Sequence, residues 1–187
     1  MRLKIKHICL LIGIALIFIS FLFFGRKMDI YDILVISGSL MAFLSLLAIL
    51  FGKGNWREKV LWTSVVVVLA VIEQTAEPFL IDSSYKIYIA EHKVVLDDIA
   101  SLLMQKRGEI SISSDTVYSP EERLGVDETA KLKAGLGKLD VYMIHKTDEG
   151  VYYGLWGFLK VRIGLRYLPG GNSLDKSYRH LTGPFFR

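Results

Sequence analysis

Two carboxylates stand four residues apart in an otherwise apolar stretch: Glu73 and Glu77, with Gln74 beside the first. On a helix that spacing puts both acids on one face. Ionisable groups inside a membrane-spanning segment are expensive, and where they occur they often serve as proton or cation sites or as partner contacts. The plainer alternative is interfacial. Measured from Lys59, Glu73 lies about 21 Å along a helix axis, and a helix leaving the hydrocarbon near residue 73 would set both acids among headgroups. No matching acid or base occurs in the two earlier apolar runs, which argues against a relay.

Other chemistry is sparse. Of the four histidines, His7 belongs to a basic N-terminal flank, His92 to an amphipathic stretch beside Glu91, and His145 to the end of a strand. None stands at metal-ligand spacing from another His, Cys or acid, so no metal and no cofactor is expected. His180 follows Tyr178 and Arg179. With Arg162 and Arg166 nearby it could build a pocket for a small anion, because guanidinium forks match phosphate and carboxylate. The bland alternative is a solvated face ion-paired to Asp175 or to Glu121 and Glu122. There is no Gly-x-Ser-x-Gly elbow and no P-loop, and Gly164, Gly170 and Gly171 read as strand and turn glycines. The balance leans away from an enzyme. One acting on lipid or envelope substrate would depend on Glu73 or Glu77.

The elements that must hold these residues begin with three apolar runs, each near the roughly 20 residues a helix needs to cross a bilayer. They cover about residues 8–25, 33–52 and 60–81. The basic start of the first run fits a signal peptide, but its core is too long and no small-residue cleavage site precedes Arg26. It reads as an uncleaved anchor. Residues 1–81 carry eight Lys/Arg against five Asp/Glu, and residues 82–187 carry fifteen against fourteen. The basic balance therefore comes mainly from the membrane flanks, and no basic face for nucleic acid is implied.

Arg2, Lys4, Lys6, Lys53, Arg57 and Lys59 fall on one side of the membrane, and only Arg26 and Lys27, offset by Asp29 and Asp32, on the other. The positive-inside rule then predicts a cytoplasmic N-terminus and an extracytoplasmic C-terminal domain. Gly38, Ala42, Ser45 and Ala48 form a small-residue stripe on the second span that lets another helix approach closely. It suits packing inside the three-helix bundle or self-association with a second subunit. Pro78 can kink or end the third helix, and 81–84 reads as the exit from the membrane.

The expected fold class is a membrane protein with three transmembrane helices (residues 1–81), followed by a small α+β domain (82–187). That domain would hold an antiparallel sheet of about four strands with two helices on one face. Residues 85–107 form an amphipathic helix ending at Gly108. Ile110 and Ile112 alternate with Ser111 and Ser113 as a short strand. Ser119-Pro120-Glu121-Glu122 has the chemistry of a helix start, with a possible restart at Asp127-Glu128 and an end at Gly135 and Gly137. Residues 139–146 and 151–158 form a hairpin around Thr147-Asp148-Glu149-Gly150. Residues 161–167 alternate most clearly of all, and 178–187 reads as an extended tail on the sheet. Trp156 and Phe158 belong to a core strand or touch a membrane or partner surface. The lone Cys9 excludes an internal disulfide, so this domain must fold on core packing alone.

Function is expected to be non-enzymatic. The anchor would display a binding domain for another macromolecule, as an accessory subunit of an envelope complex or an immunity-type protein. A sensor or effector that binds a small anion and oligomerises through its membrane helices is the alternative.

Overall fold

The computed structural model describes residues 4–25, 28–158, 161–170 and 178–187; for residues 28, 156–158 and 161–162 it describes the backbone alone. The chain divides into two compact units, Met1–Ser84 and Tyr85–Arg187.

The first unit contains α1 (Ile5–Ser20), continued by one 3-10 turn (Phe21–Phe23), then α2 (Met28–Leu50) and the first part of α3 (Trp56–Met104). All three helices are long and apolar enough to cross a membrane. Backbone groups have no water to bond in hydrocarbon, so a continuous helix is the favoured state there.

The third apolar run and the amphipathic stretch after it are one helix of 49 residues, with Pro78 inside it. Of the two outcomes expected at Pro78, a kink or an end, the helix does not end there. A proline deletes a single backbone bond. Here the helix-forming residues on both sides carry the helix across that loss.

Glycine sets the contact between α1 and α2. A Cβ on Gly13 would lie 2.7 Å from the Gly38 carbonyl oxygen and from the Ala42 nitrogen, and a Cβ on Gly38 would lie 2.7 Å from the Gly13 oxygen. The two backbones therefore touch where neither carries a side chain, as in small-residue contacts between membrane helices. Leu10, Ile49 and Trp62 form the buried centre of this unit, packed by Ile14, Ala42, Leu46, Val65 and Val66. Ile33, Ile36, Leu40, Phe43, Val67, Val68 and Val71 face outward, the apolar exterior that lipid requires.

The second unit starts with the remainder of α3. It continues with β1 (Ile110–Ser113), β2 (Val117–Tyr118), α4 (Val126–Leu139), β3 (Met143–Lys146), β4 (Val151–Phe158), β5 (Val161–Tyr167), β6 (His180–Thr182) and β7 (Phe185–Phe186). The sheet is antiparallel, seven-stranded, and ordered β2-β1-β3-β4-β5-β7-β6. The expected four strands miss the short edges. Val117 and Tyr118 fold back on β1, and the tail turns at Gly183 (φ 54°) to give β6 and β7.

The helix start at Ser119-Pro120 is also corrected. Glu122 is engaged elsewhere: it accepts the Arg107 N–H at 3.0 Å and pairs with Lys106. The helix instead begins after Gly125, whose N–H donates to Glu128 at 2.9 Å. It runs past Gly135 and Gly137 to Asp140, which takes a left-handed conformation (φ 52°).

One face of the sheet is the core. Ile110, Ile112, Ile144, Tyr153 and Leu165 are fully buried there. The Tyr153 hydroxyl donates to the Leu96 carbonyl of α3 at 2.7 Å, and burial pushes its phenol far above the ordinary range. Across the helices, the Tyr88 hydroxyl donates to the Leu139 carbonyl at 2.6 Å. Gly135 lets α4 lie directly against Ile99, since a Cβ there would sit 2.4 Å from Ile99 Cδ1.

Candidate functional site

Side chains alternate across a strand, so the residues between the core positions point to the opposite face. Cross-strand register aligns seven of them in one line over every strand. Tyr118 pairs with Ser111, Ser111 with His145, His145 with Tyr152, Tyr152 with Arg166, Arg166 with Phe186, and Phe186 with His180. At about 4.8 Å per strand the line is about 29 Å long. Phe186 is buried; the others are half-buried or exposed, and Tyr118 is 61% exposed.

Gly154 and Gly164, register partners on this face, seat two aromatic rings. A Cβ on Gly164 would lie 2.7 Å from the Tyr152 ring, and one on Gly154 would lie 2.6 Å from the Tyr142 ring. The two rings thus occupy space that a Cβ would otherwise fill, on a face that also carries His145, Met143 and Arg166.

This face receives two of the four residues proposed for an anion pocket. Arg166 and His180 both lie on the line, with Phe186 between them. The Arg166 guanidinium is 3.2 Å from Glu149 and 4.7 Å from the centre of the Tyr178 ring. His180 Nε2 lies 2.9 Å from the Gly183 carbonyl, and its ring meets Phe186 edge-on at 5.0 Å. Each therefore has a partner within the chain. Arg179 precedes β6 and exchanges backbone bonds with Arg187. The side chain of Arg162 lies outside the described residues, as do Asp175 and the side chains of Trp156 and Phe158. Among the described residues no group of three His, Cys, Asp or Glu could hold a metal ion.

In the membrane unit, Lys4, Lys6 and His7 of the first helix meet Glu58 of the third. Glu58 lies 3.3 Å from Lys4 Nζ, 3.9 Å from Lys6 Nζ and 3.1 Å from His7 Nε2. His7 is 1% exposed, and its Nδ1 accepts the Lys4 N–H at 3.3 Å, which assigns the Nε2 proton to the Glu58 side. No substrate can reach so enclosed an imidazole, so the cluster is a clasp between helices. Sequence reading assigned His7 to a basic flank and missed it. The one available signal was an acid, Glu58, isolated among cations at the same membrane edge.

At the other end Ser84 Oγ donates to the carbonyls of Leu22 and Phe24, both at 2.8 Å. Between Glu58 and Ser84, α3 advances about 39 Å. Glu73 and Glu77 fall about 16 and 10 Å short of Ser84 along the helix axis. Glu73 is half-buried, while Gln74 and Glu77 are exposed. The Tyr31 phenol lies within electrostatic reach of Glu77, Asp32 and Glu73.

Of the small-residue stripe, Gly38 and Ser45 are buried, Ala42 is half-buried and Ala48 is exposed. Gly38 and Ala42 are taken up by α1. The chain matches no protein-family model, no curated protein and no solved structure, so its functional reading rests on its own residues.

Proposed function

We propose that this protein is a membrane-anchored binding subunit whose α+β domain holds a protein partner on the outer face of its sheet. The observation that carries the reading is the cross-strand line of half-buried and exposed side chains from Tyr118 to Arg166. Tyr, Met and Arg are the residue types enriched where proteins dock, and here they stand on rigid strands that need little ordering on binding. Several ionic groups of the domain are engaged within it: Lys106 with Glu122 and Glu128, Lys93 with Asp97, and Arg166 with Glu149. That pattern supports binding rather than catalysis.

The charge bias of the flanks supports a cytoplasmic N-terminus, with the domain and its partner on the far side of the membrane. The test is purification in mild detergent from cells expressing the protein at native level. A stoichiometric protein partner is expected, and Tyr118→Glu should release it. A chain that purifies alone would remove the reading. A reporter fused to the C-terminus checks the sidedness.

A further inference from the structure

A groove of about 450 Å³ runs along the membrane unit where α2 ends and α3 begins, lined by Leu50, Trp56, Lys59, Val60, Thr63 and Ser64. Its walls are mostly apolar, and the Thr63 hydroxyl is spent on the Lys59 carbonyl at 2.9 Å. Lys59 brings a cation to the lining, and Lys53 and Arg57 precede it in the chain; none of the three has an acidic partner among the described residues. The one acid in this segment, Glu58, is claimed by Lys4, Lys6 and His7 of the clasp. Lys59 is thus left uncompensated in the wall of an apolar channel, and Trp56, which also lines it, is 75% exposed.

We propose that this groove holds an anionic phospholipid of the surrounding leaflet, its acyl chain along Leu50 and Val60 and its phosphate at Lys59. Lysine suits such a place, because its aliphatic stem lies along apolar surface while the ammonium reaches the headgroup layer. Tryptophan prefers the same layer. Basic pockets between membrane helices select acidic headgroups through this charge. The site is independent of the sheet face and its partner.

The test uses the full chain in vesicles of phosphatidylcholine doped with either phosphatidylglycerol or phosphatidylcholine brominated on the acyl chains. Quenching of Trp56 is read as the difference between the wild-type protein and Trp56→Phe. The brominated acidic lipid is expected to quench at a concentration roughly fivefold lower than the neutral one, about the factor contributed by one cation at a membrane surface. Lys59→Gln should remove most of that difference. Equal quenching by both lipids, or a preference unchanged in Lys59→Gln, would overturn the proposal. Lipid retained through delipidating detergent, counted by native mass spectrometry, gives a second readout should either variant insert poorly.

Discussion

The imidazole of His7 lies flat on the indole of Trp62, with ring centroids 4.4 Å apart and planes within 7°, while its edge faces the Glu58 carboxylate. The stack fills the space between α1 and α3, and the carboxylate gathers the charge of both helices at one membrane edge.

Removing the carboxylate leaves two lysines facing each other with nothing between. Glu58→Ala is therefore expected to lower the melting temperature in detergent by more than Lys4→Ala or Lys6→Ala, since each lysine variant leaves the acid another partner. Trp62→Ala removes the surface under the imidazole and leaves a hole, a loss of roughly 3 kcal/mol or more for a buried aromatic. Equal melting temperatures for Glu58→Ala and Lys4→Ala would contradict the shared role.

Gly13 and Gly38 allow no side chain. Gly13→Leu and Gly38→Leu each force backbone against backbone, and overpacking of this kind typically costs about 1–3 kcal/mol or more. Gly54→Leu, where a Cβ would meet nothing closer than 3.6 Å, serves as a comparison outside the α1–α2 seam. Thermal unfolding in detergent should rank the two seam variants below it, because their clash is with another helix.

Acid titration should find the carboxylates around Lys106. The Arg107 N–H, followed by Lys106, holds the Glu122 carboxyl below its ordinary value of 4.5. Lys106, followed by the Gly125 N–H, does the same for Glu128. Bonding to Glu128 pushes the Lys106 ammonium above 10.5. A depressed carboxyl stabilises the fold above its unfolded pKa and loses that contribution as pH falls through the folded one. A raised ammonium stabilises below 10.5 and loses its contribution as pH rises past the folded value. Domain stability should thus be flat through neutrality and decline on both flanks. Glu122→Gln with Glu128→Gln should flatten the acid flank in urea unfolding below about pH 4.5.

Two tyrosines on opposite faces of the sheet separate folding from docking. Tyr153→Phe deletes a buried bond to the Leu96 carbonyl and should cost about 1 kcal/mol with partner capture intact. Tyr118→Glu should leave the unfolding curve unchanged and abolish capture. Loss of capture in Tyr153→Phe at full folding would locate the interface elsewhere.

Much of this architecture is legible in the chain. Ile110 and Ile112 against Ser111 and Ser113, and Ile163, Leu165 and Tyr167 against Gly164 and Arg166, announce half-buried strands by period alone. Thr147 to Gly150 announces the turn between β3 and β4. The failures have specific causes. Pro78 carries a local penalty that the helix on both sides outweighs. Ser119 and Pro120 have capping chemistry, but Glu122, one of the acids of that would-be first turn, is drawn to Lys106 and the Arg107 N–H. β2 and β7 are two residues each, too short to show a period. The meeting of His7 with Glu58 and the seven-residue line on the sheet are products of register and helix pairing, which no local pattern encodes. Arg166 and His180 were legible as cations but not as residues already engaged, since Glu149 and Gly183 find them only through the turns.

The sheet ends in β2 and β6, of two and three residues. A strand that size exposes too few unpaired amides and carbonyls to template another chain, which is how natural sheets keep from zippering edge to edge. Crowded copies of this domain in a membrane should therefore not grow into fibres through their margins. Any visitor must recognise side chains and not backbone, so its selectivity can be retuned one residue at a time without disturbing the ladder beneath.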